Sequence, residues 1–386
     1  MTPYPRNPVV DATGTYPFVR MAQDRQAAEA RGIAVTDFTA GEPREETPEL
    51  IREALVAAVR DTPVSPYPSA EGLSVLREAI ARWVGRRFGA PVDPATEVIP
   101  TLGSKEAIYG LANILVDRDG GRDTVAIPAP AYPVYERGAL FAGARVAEVP
   151  LDPATGFLLS EDALDALPWD RLALLWVNSP NNPTASTVSR AGFERLAARC
   201  RAHGVVLASD EAYSELWFAG DPPASVLEVE DRTGVLAFNT LSKRSSMPGY
   251  RSGFVAGDPA LIATIKRVRP TVGVAPQTFV QRAAVAAWND EDHVIQTRAR
   301  YAAKRELLLP ALRQTGLTPA GGDASFFLWL AVPGGDDVAY AAHWLERGLA
   351  FAPGSLFGPA GAGHVRVALV PTLEQCVAAA ETLRIC

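Results

Sequence analysis

Short apolar runs that alternate with amphipathic helical patterns fill the middle of the chain and constrain its fold more than any other feature. The runs have the length of buried strands and cover residues 98–100, 124–128, 172–177, 205–209 and 235–238. Helical patterns lie between several of them, for example at 105–115 and 189–203. Strands separated by helices pair in parallel, and both faces of such a sheet are covered. The pattern therefore predicts an α/β fold with a mostly parallel sheet and helices on both faces.

The carboxyl-terminal part of the chain has a different pattern. After about residue 275, a long polar helical stretch at 290–314 is followed by strand-like runs at 326–332 and 364–369. A final helix follows, which Thr372 and Gln375 can cap as a capping box. A chain of 386 residues is too large for one ordinary core. We predict three parts, which are an arm that also joins the small domain (1–46), a large domain (47–275) and a smaller α/β domain (276–386).

Composition argues against several classes of protein. The formal net charge of −7 gives no cationic field for nucleic acid. The amino end lacks the apolar core of a signal peptide, and the strongest apolar run, 172–177, is too short to span a bilayer. The scattered Cys200, Cys376 and Cys386 do not have the spacing of a disulfide framework or a zinc site. We therefore expect a cytoplasmic protein with reduced thiols and without a metal, which binds neither nucleic acid nor a membrane.

Candidate functional residues follow the predicted strands, because ligands of parallel α/β sheets bind beyond the carboxyl ends of the strands. After 98–100, the residues Gly103, Ser104 and Lys105 open a helix, where free N–H groups and the helix dipole can hold a phosphate. Tyr132 lies in a proline-rich turn after the second run. The third run leads into 178–184, a loop of turn formers and amide side chains. Each of these features also has a purely structural explanation.

Charged residues end the last two runs of the set. Asp210 ends a buried strand, where a carboxylate is costly unless it meets a cation or a strong donor. Lys243 follows the run at 235–238, and Arg251 comes eight residues later. A fixed guanidinium favours loss of the proton from a nearby amine, which a lysine that forms a Schiff base requires.

Taken together, the strings SPNNPT, SDEAY, TLSK and GYRSGF resemble those of fold-type I, class I aminotransferases, in the same order and spacing. Enzymes of that family use pyridoxal 5'-phosphate. The resemblance implies that Lys243 binds the cofactor aldehyde and moves the substrate proton, that Asp210 pairs with the pyridine nitrogen, and that Tyr132 lies on the ring. It also implies that Asn182 and Tyr213 bond the phenolic oxygen of the ring. The implied phosphate neighbours are Gly103, Ser104, Lys105, Thr240, Ser242 and Arg251.

The same resemblance implies a substrate end and a dimer. Arg366 matches the arginine that holds the substrate α-carboxylate, with Asn182 beside it, and Gly41 matches the loop that closes over that group. Tyr67 matches a phosphate contact supplied by the neighbouring subunit. The implied assembly is a homodimer with shared active sites, and the implied substrates are an amino acid and a keto acid, with glutamate as donor and 2-oxoglutarate as product.

Within the family, residues 243–254 and 16–20 resemble N-succinyldiaminopimelate aminotransferases of lysine biosynthesis. The distal carboxylates of such a substrate need cations, for which Arg20, Arg44 and Arg244 are candidates by charge alone. Other class I aminotransferases (aspartate, aromatic or broad-specificity) remain alternatives, as does a cofactor-dependent C–S lyase, since the fold does not fix the reaction. A transcriptional regulator with an aminotransferase-like sensor domain is disfavoured by the negative net charge.

Overall fold

The structure is a computed structural model that describes residues 4–385, so Cys386 lies outside it. Its α-helices are α1 (Pro8–Ala12), α2 (Pro17–Ala30), α3 (Glu49–Arg60), α4 (Ser74–Phe88), α5 (Ser104–Leu115), α6 (Val134–Phe141), α7 (Glu161–Asp165), α8 (Arg190–Ala202), α9 (Leu241–Arg244), α10 (Pro259–Val272), α11 (Thr278–Asn289), α12 (Asp292–Gln314), α13 (Asp337–Leu345) and α14 (Leu373–Ile385). Its strands are β1 (Thr36–Asp37), β2 (Val98–Thr101), β3 (Thr124–Ala129), β4 (Arg145–Asp152), β5 (Leu158–Leu159), β6 (Leu172–Asn178), β7 (Val206–Asp210), β8 (Val235–Thr240), β9 (Gly253–Gly257), β10 (Thr318–Pro319), β11 (Phe327–Ala331), β12 (Leu349–Ala350), β13 (Ala352–Pro353) and β14 (His364–Ala368). None of the helices described is both long and apolar enough to cross a bilayer.

The large sheet has eight strands in the order β2-β9-β8-β7-β6-β3-β4-β5. Strands β4, β3, β6, β7 and β8 run parallel, while β9 is antiparallel between β2 and β8. Successive residues of the central strands enter different cores, since Leu174 packs in the core beside α5 and α6, and Leu175 in the core beside α4 and α8. Both faces of the sheet are therefore buried, and the predicted mostly parallel sheet with helices on both faces is confirmed.

A second sheet lies in the carboxyl-terminal part of the chain, with the antiparallel order β10-β11-β14-β13. Helices α12 and α14 pack together, and both supply residues to the core that covers this sheet. The last helix begins as predicted, because the Thr372 hydroxyl accepts from the Gln375 amide at 3.2 Å and the Gln375 side chain accepts from the Thr372 amide at 3.0 Å. The two-residue strand β1 pairs with β12, so the chain before α3 joins this part.

The chain passes between the two parts at two places. Helix α11 packs against α3 and α4, whereas α12 packs against α14, so the packing partners change at residues 290 and 291. The other passage is the segment of residues 38–48, between β1 and α3. We call these two segments the crossings. The domain division at residues 46 and 275 stays a prediction.

Several elements differ from the sequence pattern, among them strand β4, which was not predicted. The amino-terminal segment, predicted only as an arm, contains helices α1 and α2. Helix α2 escaped the periodicity argument because it buries only Met21 and Ala28, although Pro17 at its first position favours a helix start. Strand β9 was also missed, because its residues are framed by glycines, which normally indicate a loop.

Candidate active site

One cavity of about 380 Å³ collects most of the predicted site residues at the carboxyl ends of β6, β7 and β8. It is bounded by both parts of the chain, because β14 and the crossing at 38–48 also contribute. The predicted residues that line it are Gly41, Ser104, Lys105, Tyr132, Asn182, Asp210, Tyr213, Thr240, Ser242, Lys243, Arg251 and Arg366. The spatial grouping expected from strand ends is therefore present.

The phosphate end of the cavity is the start of helix α5. Gly103 is the residue before the helix, with a left-handed φ of 70°, and a side chain there would begin 2.7 Å from Nη2 of Arg251. Glycine is thus required for the guanidinium to approach the loop. Arg251 donates to the Leu102 carbonyl at 3.0 Å and to the Pro248 carbonyl at 2.9 Å. The helix start and this fixed fork together suit a phosphate dianion.

Hydroxyl groups complete the phosphate end. Thr240 and Ser242 are buried at the junction of β8 and α9, with their hydroxyl oxygens 3.0 Å apart. Ser104, also buried, is the first residue of α5. A side chain at Gly253 would begin 2.5 Å from the Asn239 carbonyl, so β9 can approach this loop only as glycine. The unexpected strand β9 therefore carries the backbone that packs behind the phosphate end.

Asp210 lies at the end of β7 with a buried carboxylate. It accepts a hydrogen bond from the Tyr135 hydroxyl at 2.7 Å and a longer one from the Ala212 amide at 3.3 Å. Burial raises the pKa of Asp210 to about 6, against the opposing effects of these donors and of the Lys243 charge. A carboxylate in this position needs a cation to stay ionised, and a protonated pyridine nitrogen meets that need.

Tyr135 was missed by sequence reasoning. It lies on α6, one helical turn after Tyr132, and its ring stacks on Trp176 with centroids 5.1 Å apart. Tyr132 lines the cavity, and its ring meets that of Tyr135 edge to face at 5.9 Å. The spacing of three residues on a helix is the signal that could have indicated Tyr135.

Lys243 is the third residue of the short helix α9. Its ammonium donates to the Gly41 carbonyl on the crossing at 38–48. Burial lowers the pKa of Lys243 to about 8; the charge of Glu42 opposes this shift, while the charges of Arg366 and Arg251 favour it. About a tenth of this amine is therefore unprotonated at pH 7, far more than for an ordinary lysine, and the unprotonated form is the one that a nucleophile or base requires.

Arg366 lies on strand β14 and forms the end of the cavity opposite the phosphate end. Its side chain is fully buried, and it donates to the Asn182 side-chain oxygen at 2.7 Å and to the Thr39 carbonyl. Its Nε has no hydrogen-bond partner within residues 4–385. Burial lowers the pKa of Arg366 to about 10. A cation held this way in an apolar wall suits a carboxylate ligand.

Aromatic rings surround the Arg366 guanidinium. The centroid of Phe327 is 4.2 Å away, that of Phe357 is 4.6 Å away and that of Phe18 is 5.3 Å away. Phe18 belongs to α2, and Tyr16, the residue before that helix, also lines the cavity. The amino-terminal segment therefore covers the substrate end, a role that sequence reasoning did not give to Tyr16 or Phe18.

Four of the predicted side chains, those of Tyr67, Arg20, Arg244 and Arg44, lie elsewhere in the part of the chain that the structure describes. Tyr67 is fully exposed in the connection between α3 and α4, beside the start of α11. Arg20 is exposed on α2, outside the cavity lining. Arg244 points away from the cavity into the core, where its Nη1 donates to the Ala287 carbonyl at 2.6 Å. The expectation that Arg244 contacts substrate is corrected, because its guanidinium is already engaged there.

Arg44 was the third arginine suggested for the distal carboxylates. It lies on the crossing at 38–48 and forms an ion pair with the buried Asp37 at 2.9 Å. Asp37 also accepts hydrogen bonds from the Thr39 amide and hydroxyl and pairs with Arg25. Burial opposes ionisation of Asp37, but these donors and cations lower its pKa overall. Arg44 therefore stabilises the crossing and is not among the residues that line the cavity.

Comparison with known proteins agrees with this geometry. The family model of aminotransferase class I and II matches residues 33–383. The chain belongs to this family. LL-diaminopimelate aminotransferases are among its relatives: that of Nitratidesulfovibrio vulgaris is 36% identical over 92% of each chain, and that of Aquifex aeolicus is 35% identical over 96% of each chain.

Solved structures lead to the same family. Aspartate aminotransferase from Thermus thermophilus with maleate has a TM-score of 0.90 at 30% identity over 99% of each chain. An aminotransferase from Neisseria meningitidis has a TM-score of 0.86 at 36% identity, over 96% of this chain and 97% of that one. The chain is therefore a pyridoxal-phosphate-dependent aminotransferase that acts on amino acids and keto acids. The buried carboxylate of Asp210 and the cationic phosphate end fit that cofactor.

Proposed function

We propose that this aminotransferase exchanges the amino group between glutamate and the keto acid that corresponds to N-succinyl-LL-2,6-diaminopimelate, in the route to diaminopimelate and lysine. The observation that carries the aminotransferase chemistry is that Lys243, Asp210 and Arg366 line one cavity. The substrate class is supported by residues 243–254 and by relatives that are diaminopimelate aminotransferases.

In this proposal each residue has one chemical role. When bound, pyridoxal phosphate supplies an aldehyde that accepts amino groups and a protonated ring that takes up electrons as the α-proton leaves. Asp210 keeps the ring nitrogen protonated, and Tyr135 keeps Asp210 ionised and oriented. Lys243 would hold the aldehyde, and its free amine would move the α-proton as a general base. Its lowered pKa suits that role near neutral pH.

Arg366 binds the α-carboxylate that all substrates of the enzyme share. The rings of Phe18, Phe327 and Phe357 exclude water around the guanidinium, which strengthens its attraction for a carboxylate. The side-chain oxygen of Asn182 accepts a hydrogen bond from the Arg366 guanidinium, and its amide group would contact the phenolic oxygen of the cofactor. Asn182 would thus orient both Arg366 and the cofactor ring. The α-carbon is thereby held between Arg366 and Lys243.

Lys105 is the cation we assign to the distal carboxylate. Its Nζ lies 5.1 Å from the centre of the Tyr16 ring and 5.9 Å from that of Tyr132, in the cavity wall. Burial and the charge of Arg251 lower the pKa of Lys105, so an anion nearby would stabilise its charged form. The backbone at Gly103 to Lys105 stays with the phosphate, while the lysine side chain is free for the substrate.

The free amino acid LL-diaminopimelate is a second candidate, favoured by the relatives named above. Its distal end carries an ammonium group, whereas the succinylated substrate carries only carboxylates there. Glu42 is the acidic side chain in the cavity lining besides Asp210, and it lies on the same loop as Gly41. A distal ammonium would pair with Glu42, and a succinyl carboxylate would be repelled by it.

A substrate panel with the variant E42Q tests the assignment. LL-diaminopimelate, N-succinyl-LL-diaminopimelate, aspartate and phenylalanine are each tested with 2-oxoglutarate, and kcat/KM is measured by glutamate production. We expect the succinylated substrate to be used best and E42Q to raise its kcat/KM relative to that of LL-diaminopimelate. The ratio cancels any effect on Lys243 itself. Aspartate or phenylalanine as the best substrate would refute the proposal, and release of pyruvate and ammonia from cystathionine without a keto acid would indicate a C–S lyase.

We also propose a homodimer in which Tyr67 contacts the phosphate of the neighbouring site. Tyr67 is fully exposed, as such a residue must be in a single chain. A mostly apolar groove of about 780 Å³ runs between α5 and α10 and shares Lys105 and Arg251 with the cavity, so a second copy covering it would adjoin the phosphate end.

Mixing two inactive variants tests the shared site. K243A and Y67A subunits are combined, and turnover is compared with that of each variant alone. If Tyr67 acts across the interface, each mixed dimer has one site with both residues intact. Because random association makes about half of the dimers mixed, the activity of an equimolar mixture returns toward about a quarter of that of the wild type. A tyrosine that acts within its own subunit would leave the mixture as inactive as its parts.

A further inference from the structure

Four consecutive residues that include the cofactor lysine bond to the two crossings between the parts of the chain. Lys243 donates to Gly41, and Ser246 accepts from the Thr47 hydroxyl at 2.6 Å, both on the crossing at 38–48. Arg244 and Ser245 make the corresponding contacts with the other crossing, at residues 290 and 291, and with the start of α12.

Arg244 is the strongest of these links. Its side chain is 1% exposed, beside the paired rings of Trp83 and Trp288, whose centroids lie 5.6 Å and 5.0 Å from the guanidinium carbon. In addition to the Ala287 carbonyl, it donates to the Asp290 carbonyl at 3.1 Å and to the Glu291 carboxylate at 2.8 Å. These acceptors are the end of α11 and the crossing that follows it.

Ser245 adds a second link to the same crossing. Its hydroxyl lies 2.8 Å from Nε2 of His293, on the first turn of α12, and Nδ1 of His293 lies 2.5 Å from the Asp290 carboxylate. Ser245 and His293 are buried, so the hydrogen bond between them is shielded from water, whereas Asp290 is partly exposed. The end of the lysine helix is therefore attached to the carboxyl end of α11 and to the amino end of α12 at once.

A buried ion pair is poor evidence for stability, because apolar residues of similar volume often stabilise a core as well. The hydrogen bonds that Arg244 donates, however, fix the position of α9 relative to the end of α11 and the crossing at residues 290 and 291. Helix α9 has only four residues, too few to hold its own orientation. The position of the Lys243 amine therefore depends on what holds the end of α9.

We propose that Arg244 is a positioning residue for Lys243, which ties the lysine helix to the junction where α11 passes into α12. This inference rests on the proposed role of Lys243. A shift of α12 and the small sheet relative to the large sheet would move Arg244 and, through it, the α9 backbone that carries the Lys243 amine. Arg244 does not touch substrate; it acts through Lys243.

The test compares R244K with R87K in the cofactor-loaded enzyme. Arg87 is a matched control, because it also is largely buried, pairs with a carboxylate (Glu215, 2.8 Å), donates to two carbonyls and stacks on two aromatic rings. None of its described contacts is with residues 243–246. For each variant, Tm, kcat, KM and the pH titration of the visible cofactor absorbance are measured.

We expect R244K to lower kcat roughly tenfold, since small misplacement of a reacting group has effects of this order, with KM within about twofold of the wild type. We also expect the midpoint of the absorbance titration to move by about half a pH unit or more, because it reports the environment of the Lys243 nitrogen. R87K is expected to lose comparable Tm while keeping the wild-type kcat and titration. The inference would be overturned if R244K lowered Tm but left kcat and the titration midpoint unchanged. It would also be overturned if R87K lost as much kcat and shifted the midpoint as far as R244K.

If R244K does not fold, E291Q provides the test, since the Glu291 side chain is 43% exposed and tolerates change. We expect a roughly threefold fall in kcat together with a shift of the titration midpoint in the same direction. Wild-type values for E291Q would overturn the inference. Failure of the proposed role of Lys243 is distinguishable, because the wild-type enzyme itself would then bind no visible cofactor at Lys243.

Discussion

The phosphate end and the carboxylate end of the cavity hold anions by different constructions. The phosphate end comes from neighbouring strand ends of one sheet, with Arg251 fixed by the backbone of Leu102 and Pro248. At the carboxylate end, Arg366 from the small sheet bonds Asn182, in the loop after β6 of the large sheet, and Thr39 of a crossing. The first end is built from the large sheet and its loops alone, whereas the second is complete only when two parts of the chain meet.

This difference indicates what each end is for. An anion that stays bound through many turnovers is best held by a preformed site, as at the start of α5. An anion that enters and leaves needs a site that can open, and one assembled across two parts of a chain can do so. The covering rings of Phe18 and Phe357, which come from α2 and the carboxyl-terminal part, are consistent with such a site.

Lys243 lies between the two ends, so its loss should have the largest effect. K243A is expected to reduce turnover by at least about 10⁴-fold, because it removes both the nucleophile and the base. The measurement is glutamate-dependent turnover, with borohydride reduction and peptide mapping of the wild type to locate the cofactor. Turnover near the wild-type rate would refute the role of Lys243.

Paired substitutions at the two ends test whether they work independently. R366K should lower kcat/KM for amino acids by roughly 100-fold, since lysine cannot replace a bidentate contact, and should leave cofactor affinity within about twofold. R251K should do the reverse, weakening cofactor binding about tenfold. Cofactor affinity is measured by absorbance titration and kcat/KM at saturating cofactor. If each variant affects both quantities equally, the two ends are one cooperative unit.

The pH dependence of cofactor capture tests the lowered pKa of Lys243. Only the unprotonated amine attacks an aldehyde, and with a pKa of about 8 its fraction rises mainly between pH 7 and pH 9. Capture of pyridoxal phosphate by the apoprotein should therefore accelerate up to about tenfold over that interval and then level off. An ordinary lysine would still be accelerating above pH 10, so a rate that keeps climbing there would contradict the burial argument.

The smallest effect is expected from the phenylalanine variant Y135F. Loss of the hydroxyl removes a donor from Asp210 and raises the pKa of that carboxylate further, which weakens its hold on the ring nitrogen. We expect kcat to fall about fivefold, which corresponds to the typical net contribution of one hydrogen bond, about 1 kcal/mol. Trp176 still packs on the new ring, so Tm serves as the control. An unchanged kcat would show that Ala212 and the cofactor are sufficient to hold Asp210.

Sequence reasoning succeeded where function follows a strand end. Asp210, Lys243 and the start of α5 each come directly after an apolar run, so the topology of a parallel sheet brings them together. It failed where the direction of a side chain decides. Arg244 follows Lys243 on a helix, so the two side chains diverge by about 100°, and one enters the cavity while the other enters the core.

Other residues could not be found from local pattern at all. Tyr16 and Phe18 reach the cavity because α2 crosses over it, and no periodicity of that weakly amphipathic helix indicates which surface it covers. The partners of Arg366 are distant in sequence, since Thr39 precedes the large sheet in chain order and Asn182 follows β6 in the middle of it. Contacts of this kind depend on how the two parts dock, which short-range patterns do not contain.

The hydrogen bond from Lys243 to the Gly41 carbonyl has a consequence for the handling of the enzyme. An amine that has condensed with an aldehyde keeps at most one hydrogen, so it can no longer hold the loop as a free ammonium does. Binding of the cofactor should therefore loosen the segment around Gly41. A protease that cuts there would digest the apoprotein more slowly than the cofactor-bound enzyme. Storage without the cofactor would then protect this loop.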